Sequence, residues 1–221
     1  MSSVKLKHSS GNGTIINGPV ANPSADITLK VPSTTGTAGQ VLKVASANHS
    51  ATNAELEWGT DPATKVLSVK HITTTNTFAE ALTAGSTSTN NVLNLYFTAS
   101  STSNRLLVTM SLNVSCTTAN RSVGMALFAD GSIVTEAIGA ESGSKNRVTA
   151  AATVNYTDNC EALNAQAWIT PGSTSSINYS IRLINLHDST NTPTVNYSGS
   201  ESDTNRYPRL ISTMTIMEVV P

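Results

Sequence analysis

The sequence predicts an all-β protein: a short-stranded N-terminal arm followed by an antiparallel β-sandwich, a jelly roll. Three observations favour this fold class. Apolar and polar residues alternate along Asn104–Cys116, NRLLVTMSLNVSC, which is the period of a strand with one buried face. Further alternating runs follow at short intervals, divided by turn residues. The apolar face of such a strand needs a second layer of structure to cover it. A small barrel remains the alternative all-β architecture.

The composition is that of a chain solvated by hydroxyl and amide groups. Hydrophobic residues make up 38% and charged residues only 12% of the 221 residues, and the net charge is −1. This balance is typical of β-rich extracellular or particle-surface proteins. Because basic residues form no block, we expect no nucleic-acid partner. The first ten residues have no apolar segment and no run is long enough to span a bilayer, so we expect neither a secretory signal nor membrane insertion.

Residues 1–62 differ from the rest of the chain because short apolar pairs are divided by turn residues. Each run is too short to bury a core of its own. We therefore expect an attachment and oligomerisation arm, with an ordered arm of a monomer as the alternative. The residues expected to pack within the arm or against a particle are Ile15, Ile16, Ile27, Leu29, Val31, Val41, Leu42 and Trp58.

Residues 63–221 are expected to form the sandwich, with about nine strands. We predict a helical turn at Phe78–Leu82. Asp130-Gly131 between two apolar runs predicts a tight hairpin, because both residue types accept a positive φ. Cys116 continues the apolar face of its strand and is expected to be a buried free thiol, although a bridge to Cys160 stays open.

The last predicted strand, Arg209–Val219, has apolar residues on both faces. Leu210, Met214 and Ile216 share one face, which we assign to the domain core. The other face carries Ile211, Met217 and Val219, and we expect these three residues to form a subunit interface.

The sequence contains no pattern that indicates catalysis, so we expect a protein that is not an enzyme. His8, His49, His71 and His187 lack the spacing of metal ligands, and no calcium-loop or phosphate-loop motif is present. We therefore expect no catalytic residue, no metal and no cofactor. His187-Asp188 lies in a polar run and is interpreted as a solvated turn. Aromatic residues that could contact a glycan are Tyr156, Trp168, Tyr179, Tyr197 and Tyr207.

Two segments carry a resemblance. Residues 25–32 (ADITLKVP), then Gly39-Gln40-Val41-Leu42-Lys43 and Leu56-Glu57-Trp58-Gly59, resemble a module common at the N-termini of bacteriophage tail-fibre and related virion proteins. The segments 176–183, 205–207 and 212–219 are similar to the distal domain of marine (cyanophage-like) phage structural proteins, which resemble the trimeric jelly rolls of the tumour-necrosis-factor and C1q type. The resemblance implies a homotrimeric virion component that is assembled in the host cytoplasm.

The function predicted from the resemblance is that of a fibre-like appendage, with the arm bound to other virion proteins and the sandwich projecting as a knob. A capsid decoration protein, of the cement or head-fibre type, is the first alternative. An adhesin that binds a host-surface glycan is the alternative from another functional class. The predicted partners are therefore copies of the chain itself, other virion proteins and a host glycan.

Overall fold

The computed structural model describes residues 3–7, 13–17, 28–38, 40–45, 53–60, 66–202, 204–205 and 207–221. The chain divides into two compact units, Met1–Ala63 and Thr64–Pro221. The boundary predicted from composition lies between residues 62 and 63. Each unit is described by itself below.

The first unit contains small sheets made from short strands. These are β1 (Ser3–Lys7), β2 (Gly13–Asn17), β3 (Thr28–Lys30), β4 (Gln40–Val44) and β5 (Asn53–Thr60). β1 pairs with β2 in an antiparallel hairpin. β5 is the middle strand of a second sheet, in which β3 is parallel to it and β4 antiparallel.

The second unit contains the longer strands. In chain order they are β6 (Val66–Thr74), β7 (Phe78–Ala79), β8 (Leu93–Phe97), β9 (Arg105–Cys116), β10 (Arg121–Ala129), β11 (Ser132–Ile133), β12 (Ala150–Val154), β13 (Glu161–Ile169), β14 (Ile177–Asn185), β15 (Pro193–Val195) and β16 (Ser212–Val219). A single 3-10 turn, Thr135–Ala137, follows β11. The predicted all-β class is confirmed.

The strands of this unit form two antiparallel sheets with a jelly-roll order. The main strands of the six-stranded sheet lie in the order β6-β16-β9-β13, and those of the five-stranded sheet in the order β8-β14-β10-β12. Counting only these eight strands along the chain, the two orders are 1-8-3-6 and 2-7-4-5. This is a double Greek key, so the sandwich rather than the small barrel is the architecture.

β9 confirms the alternation predicted for the central strand. Its inward side chains are each at most 1% exposed, and its outward side chains from Arg105 to Asn113 are half-buried. The inward side chains pack in one hydrophobic cluster with residues of β10, β14 and β16. The inward residues of β9 are Leu106, Val108, Met110, Leu112, Val114 and Cys116.

The hairpin predicted at Asp130-Gly131 is confirmed, since β10 pairs with β11 and the two residues have φ values of 46° and 81°. The helical turn predicted at Phe78–Leu82 is wrong. Phe78 belongs to β7, and Leu82 exchanges two backbone hydrogen bonds with Asn191, at 2.8 and 2.9 Å. A partner more than 100 positions away in the chain overrides the local preference.

The outer face of the five-stranded sheet is covered over β10 and β14 by the chain's own loops. Ala126, Phe128 and Ile184 are buried there beneath Ile138, Val148 and Leu186. Gly124 in β10 allows this cover to approach closely, because a Cβ at that position would lie 2.6 Å from Cγ1 of Val148. The outward side chains of β8, in the same sheet, stay exposed.

Candidate subunit interface

The outer face of the six-stranded sheet carries a transverse row of apolar side chains. The strand register places Met217 of β16 opposite both Val69 of β6 and Leu107 of β9, and places Trp168 of β13 opposite Leu107. Side chains directly opposite one another on one face of a sheet are in reach of each other. We call these four residues the apolar row. Val69 is 54% and Trp168 49% exposed, and the other two are half-buried.

Two rows of hydroxyl and amide side chains lie beside the apolar row on the same face. The first contains His71, Thr215, Thr109 and Gln166, and the second contains Thr73, Thr213, Ser111 and Asn164. The imidazole of His71 lies 2.8 Å from the hydroxyl oxygens of both Thr215 and Thr73. These two contacts connect the ring to β16 and to a neighbouring residue of β6. A shallow depression of about 440 Å³ lies between β9 and β13 at these rows.

Charge is sparse on this face. Neither polar row carries a carboxylate, a lysine or an arginine. Arg105, at the other side of the apolar row, lies opposite Val219, and its guanidinium Nη1 is 3.6 Å from a carboxylate oxygen of Glu136. The same nitrogen donates a hydrogen bond of 2.8 Å to Oγ1 of Thr170. A face of this kind does not repel an identical copy of itself, because like charges would not meet across the contact.

The three residues predicted for a subunit interface fall at different places on this face. Met217 belongs to the apolar row. Val219, two residues further along β16 and on the same face, is half-buried. Ile211 is 53% exposed but precedes the strand, two polar rows away from Met217. Sequence reasoning missed Val69, Leu107 and Trp168 as their neighbours. Leu107 offered a signal, since it is the one apolar residue on the otherwise polar face of β9.

The residues predicted to pack in the arm are found in several environments. Val31, Val41 and Leu42 are exposed, at 73%, 37% and 46%. Trp58 packs inside the first unit: its Nε1 donates a 2.7 Å hydrogen bond to the carbonyl of Thr34, and its ring lies against Gly36. Strands β2 and β3 contain Ile15, Ile16 and Leu29. Ile27 lies outside the described residues. Attachment through these residues stays a prediction.

The aromatic and thiol residues singled out in the sequence are also placed. Tyr179 is 2% exposed in the core, where burial raises its pKa to about 12, so it is not available to a glycan. Tyr197 and Tyr207 line one cavity. Both cysteines are free, and burial raises the pKa of the Cys116 thiol, which accepts a hydrogen bond from Nδ2 of Asn191.

Two further observations concern the described part of the chain. Within it, no group of three or more His, Cys, Asp or Glu residues is placed to hold a metal ion. Among the same residues, no helix has the length and apolar character needed to cross a membrane.

Comparisons with known proteins give distant structural likenesses. No protein-family model matches the chain, and no curated protein matches its sequence. A structure of the Gt strain of infectious bursal disease virus is 13% identical with a TM-score of 0.39, and the match covers 75% of this chain and 44% of that one. The VP2 subviral particle of the same virus is 9% identical with a TM-score of 0.35, covering 82% and 47%. This chain thus spans less than half the length of either viral chain. Sequence identities and TM-scores this low do not identify a shared function.

Proposed function

We propose that this chain is a structural component of a virion, a homotrimeric fibre-like appendage. In this proposal the arm, residues 1–62, attaches to other virion proteins and the jelly roll projects as a knob. The observation that carries the proposal is the apolar row of Val69, Leu107, Met217 and Trp168 on the open face of the six-stranded sheet.

The apolar row favours association because exposed apolar area is stabilised when it leaves water, by roughly 25 cal/mol per Å². Scattered single apolar residues on a surface need no explanation, but a contiguous row does. The middle of the other outer face, over β10 and β14, is already buried beneath Ile138, Val148 and Leu186. The six-stranded sheet is therefore the face that carries an apolar row across its central strands.

The sparse charge of this face favours a second copy of this chain as its binding partner. The two polar rows can exchange hydrogen bonds between hydroxyl and amide groups, and Arg105 is already paired with Glu136 within the chain. The resemblance to trimeric jelly rolls of the tumour-necrosis-factor and C1q type supports three copies around one axis. Closed symmetry of this kind leaves no apolar face open at the end of the assembly.

The virion assignment is supported by the resemblance of residues 25–59 to the N-terminal module of phage tail-fibre proteins. A capsid decoration protein is the alternative within the same class, because an arm followed by a knob also suits attachment to a capsid three-fold axis. Antibody labelling of phage particles in electron micrographs separates the two. Label at the tail supports the appendage, and label over the head supports decoration.

The trimer is tested by light scattering on the purified full-length chain. We expect a mass three times the 23.0 kDa of one chain. Met217→Asp is expected to give monomers, because a carboxylate in an apolar contact costs several kcal/mol. Tyr96→Asp is the matched control, since Tyr96 is 60% exposed on β8 in the opposite sheet. A monomeric wild-type chain, or a Met217→Asp variant that stays trimeric, would contradict this interface.

A further inference from the structure

The segment that connects β15 to β16 is closed at its two ends by hydrogen bonds of the buried residue Asn196 with Leu210 and Ser212, which we call the neck. Asn196 is 0% exposed and has a φ of 65°, and its carbonyl accepts a 3.0 Å hydrogen bond from the amide of Leu210. Its side-chain Oδ1 accepts from the hydroxyl of Ser212 at 2.6 Å. Its Nδ2 donates to the carbonyls of Thr74 and Asn76 at 3.1 and 2.9 Å. The two ends of the connection are therefore fixed to the sandwich through one side chain.

The residues that follow the neck are also fixed to the sandwich. The amide of Gly199 donates to Oγ of Ser115 at 3.0 Å, and a Cβ on Gly199 would lie 1.7 Å from the carbonyl oxygen of Cys116. Ser200 bonds Thr157 twice, through its amide at 2.9 Å and through its hydroxyl at 2.6 Å. Partly buried hydrogen bonds of this kind hold a site in place before a ligand arrives.

A polar cavity of about 290 Å³ lies above this fixed segment. The side chains of Tyr197 and Tyr207, both half-buried, supply two aromatic rings to its lining. The guanidinium of Arg209 lies over the Tyr197 ring, 5.3 Å from its centroid, and is paired with the carboxylate of Glu201. Ser202 and Thr204 add hydroxyl groups to the described part of the lining.

We propose that this cavity is a binding site for a neutral sugar unit of a glycan. The C–H faces of a sugar ring stack on tyrosine, and its hydroxyl groups both donate and accept hydrogen bonds. Arg209 supplies donors, Glu201 supplies acceptors, and Ser202 and Thr204 supply both. The volume is near the lower end of the roughly 300–1,000 Å³ of small-molecule sites, which suits a ring unit of a longer chain.

The charges of the described lining favour a neutral over an acidic sugar. Arg209 is already neutralised by Glu201, so the pair leaves no net positive charge for a sulfate, phosphate or sialic-acid carboxylate. All of the named lining residues come from one chain and one unit. The glycan proposal is thus independent of trimer formation. A monomeric mass would not contradict glycan binding, and an absence of glycan binding would not contradict the trimer.

The test is a glycan array probed with the full-length chain, carrying neutral hexose and N-acetylhexosamine glycans beside sialylated and sulfated ones. The strongest neutral glycan is then titrated by calorimetry. Tyr207→Ala is expected to weaken its binding at least about tenfold. Thr204→Trp, which fills the cavity while keeping both tyrosines, Arg209 and Glu201, is expected to weaken it as much. Tyr96→Ala removes an exposed tyrosine outside the cavity and is expected to change binding less than about twofold.

Three results would overturn the proposal. The first is an array on which no neutral glycan binds. The second is binding confined to acidic glycans. The third is neutral binding that survives both Tyr207→Ala and Thr204→Trp at the wild-type affinity. Thermal melting of each variant separates lost binding from lost folding, and a Tyr207→Ala chain that melts early leaves Thr204→Trp to decide.

Discussion

At the scale of single residues, Glu218 is a buried carboxylate that hydrogen bonds from three residues hold in place. Its side chain is 1% exposed at the end of β16. One carboxylate oxygen accepts hydrogen bonds from the amide and hydroxyl of Ser100 at 2.7 and 2.6 Å and from Nδ2 of Asn104 at 2.6 Å. The other accepts from the hydroxyl of Ser68 at 3.2 Å. Glu218 thus joins β16 to β6 and to the loop before β9.

These contacts set the direction of its pKa. Burial by itself raises the pKa of Glu218, but the hydrogen bonds from Ser100, Asn104 and Ser68 outweigh it and hold the pKa below the ordinary value of 4.5. Because the pKa is lowered in the folded state, the carboxylate stabilises the fold above pH 4.5. That contribution is lost as the pH falls from there through the folded-state pKa.

We therefore predict a pH-dependent effect of Glu218→Gln. The variant is expected to lose about 1–3 kcal/mol of unfolding free energy at neutral pH, because hydrogen bonds to a charged group are replaced by neutral ones. The difference from wild type is expected to shrink below pH 4.5, where the wild-type carboxylate becomes protonated. Urea unfolding at a series of pH values measures this difference in unfolding free energy. Glu141→Gln, at an exposed loop position, is the control, and a pH-independent difference would argue against the ionised carboxylate.

At the scale of elements, the strand β9 is the centre of the six-stranded sheet. It pairs with β16 along one edge and with β13 along the other. Its inward residues meet the five-stranded sheet across the core, and its outward residues belong to the apolar row and the two polar rows. The same strand therefore serves folding through one face and the proposed assembly through the other.

This division predicts opposite outcomes for neighbouring positions. Met110→Asp is expected to prevent folding, because Met110 is 1% exposed and an isolated buried charge costs several kcal/mol, comparable to the stability of a domain. Ser111→Asp, one residue further on the outward face, is expected to leave a folded chain. Near-ultraviolet circular dichroism and thermal melting measure both. A cooperatively melting Met110→Asp protein would show that the core tolerates a charge at the centre of β9.

At the scale of the whole molecule, the jelly roll has a hydrophobic core of its own. Among the described residues, its buried cluster runs from Leu82 to Ile216, within Thr64–Pro221. A unit of this size with its own core has the features of an independently folding domain.

We predict that residues 64–221 fold without the arm. The truncated chain is expected to show one cooperative thermal transition. It is also expected to form assemblies with the same number of chains as the full-length protein. Circular dichroism and light scattering test the two statements. A truncated chain that folds but is monomeric, beside a trimeric full-length protein, would assign assembly to the arm instead of the apolar row.

Local sequence patterns were enough to predict the all-β class, the two faces of β9 and the hairpin at Asp130-Gly131. Each rests on a local rule, because a strand shows its alternation and a tight turn its residue types within a few positions. The same rules placed Met217 and Val219 on an outward face of the last strand. The count and spacing of the strands predicted the jelly roll, which the structure shows. The resemblance to phage proteins added the trimer, which stays a prediction.

Which outward residues become neighbours depends on how the strands pair in the folded protein. Val69, Leu107, Trp168 and Met217 lie on four strands, and their alignment depends on pairing register, which no single strand encodes. Leu82 forms a bridge with Asn191 instead of a helical turn for the same reason. Tyr197 and Arg209, twelve positions apart, meet because the neck at Asn196 closes the connection between them. Long-range hydrogen bonds and packing thus set the interface and the cavity, while local patterns set the strands.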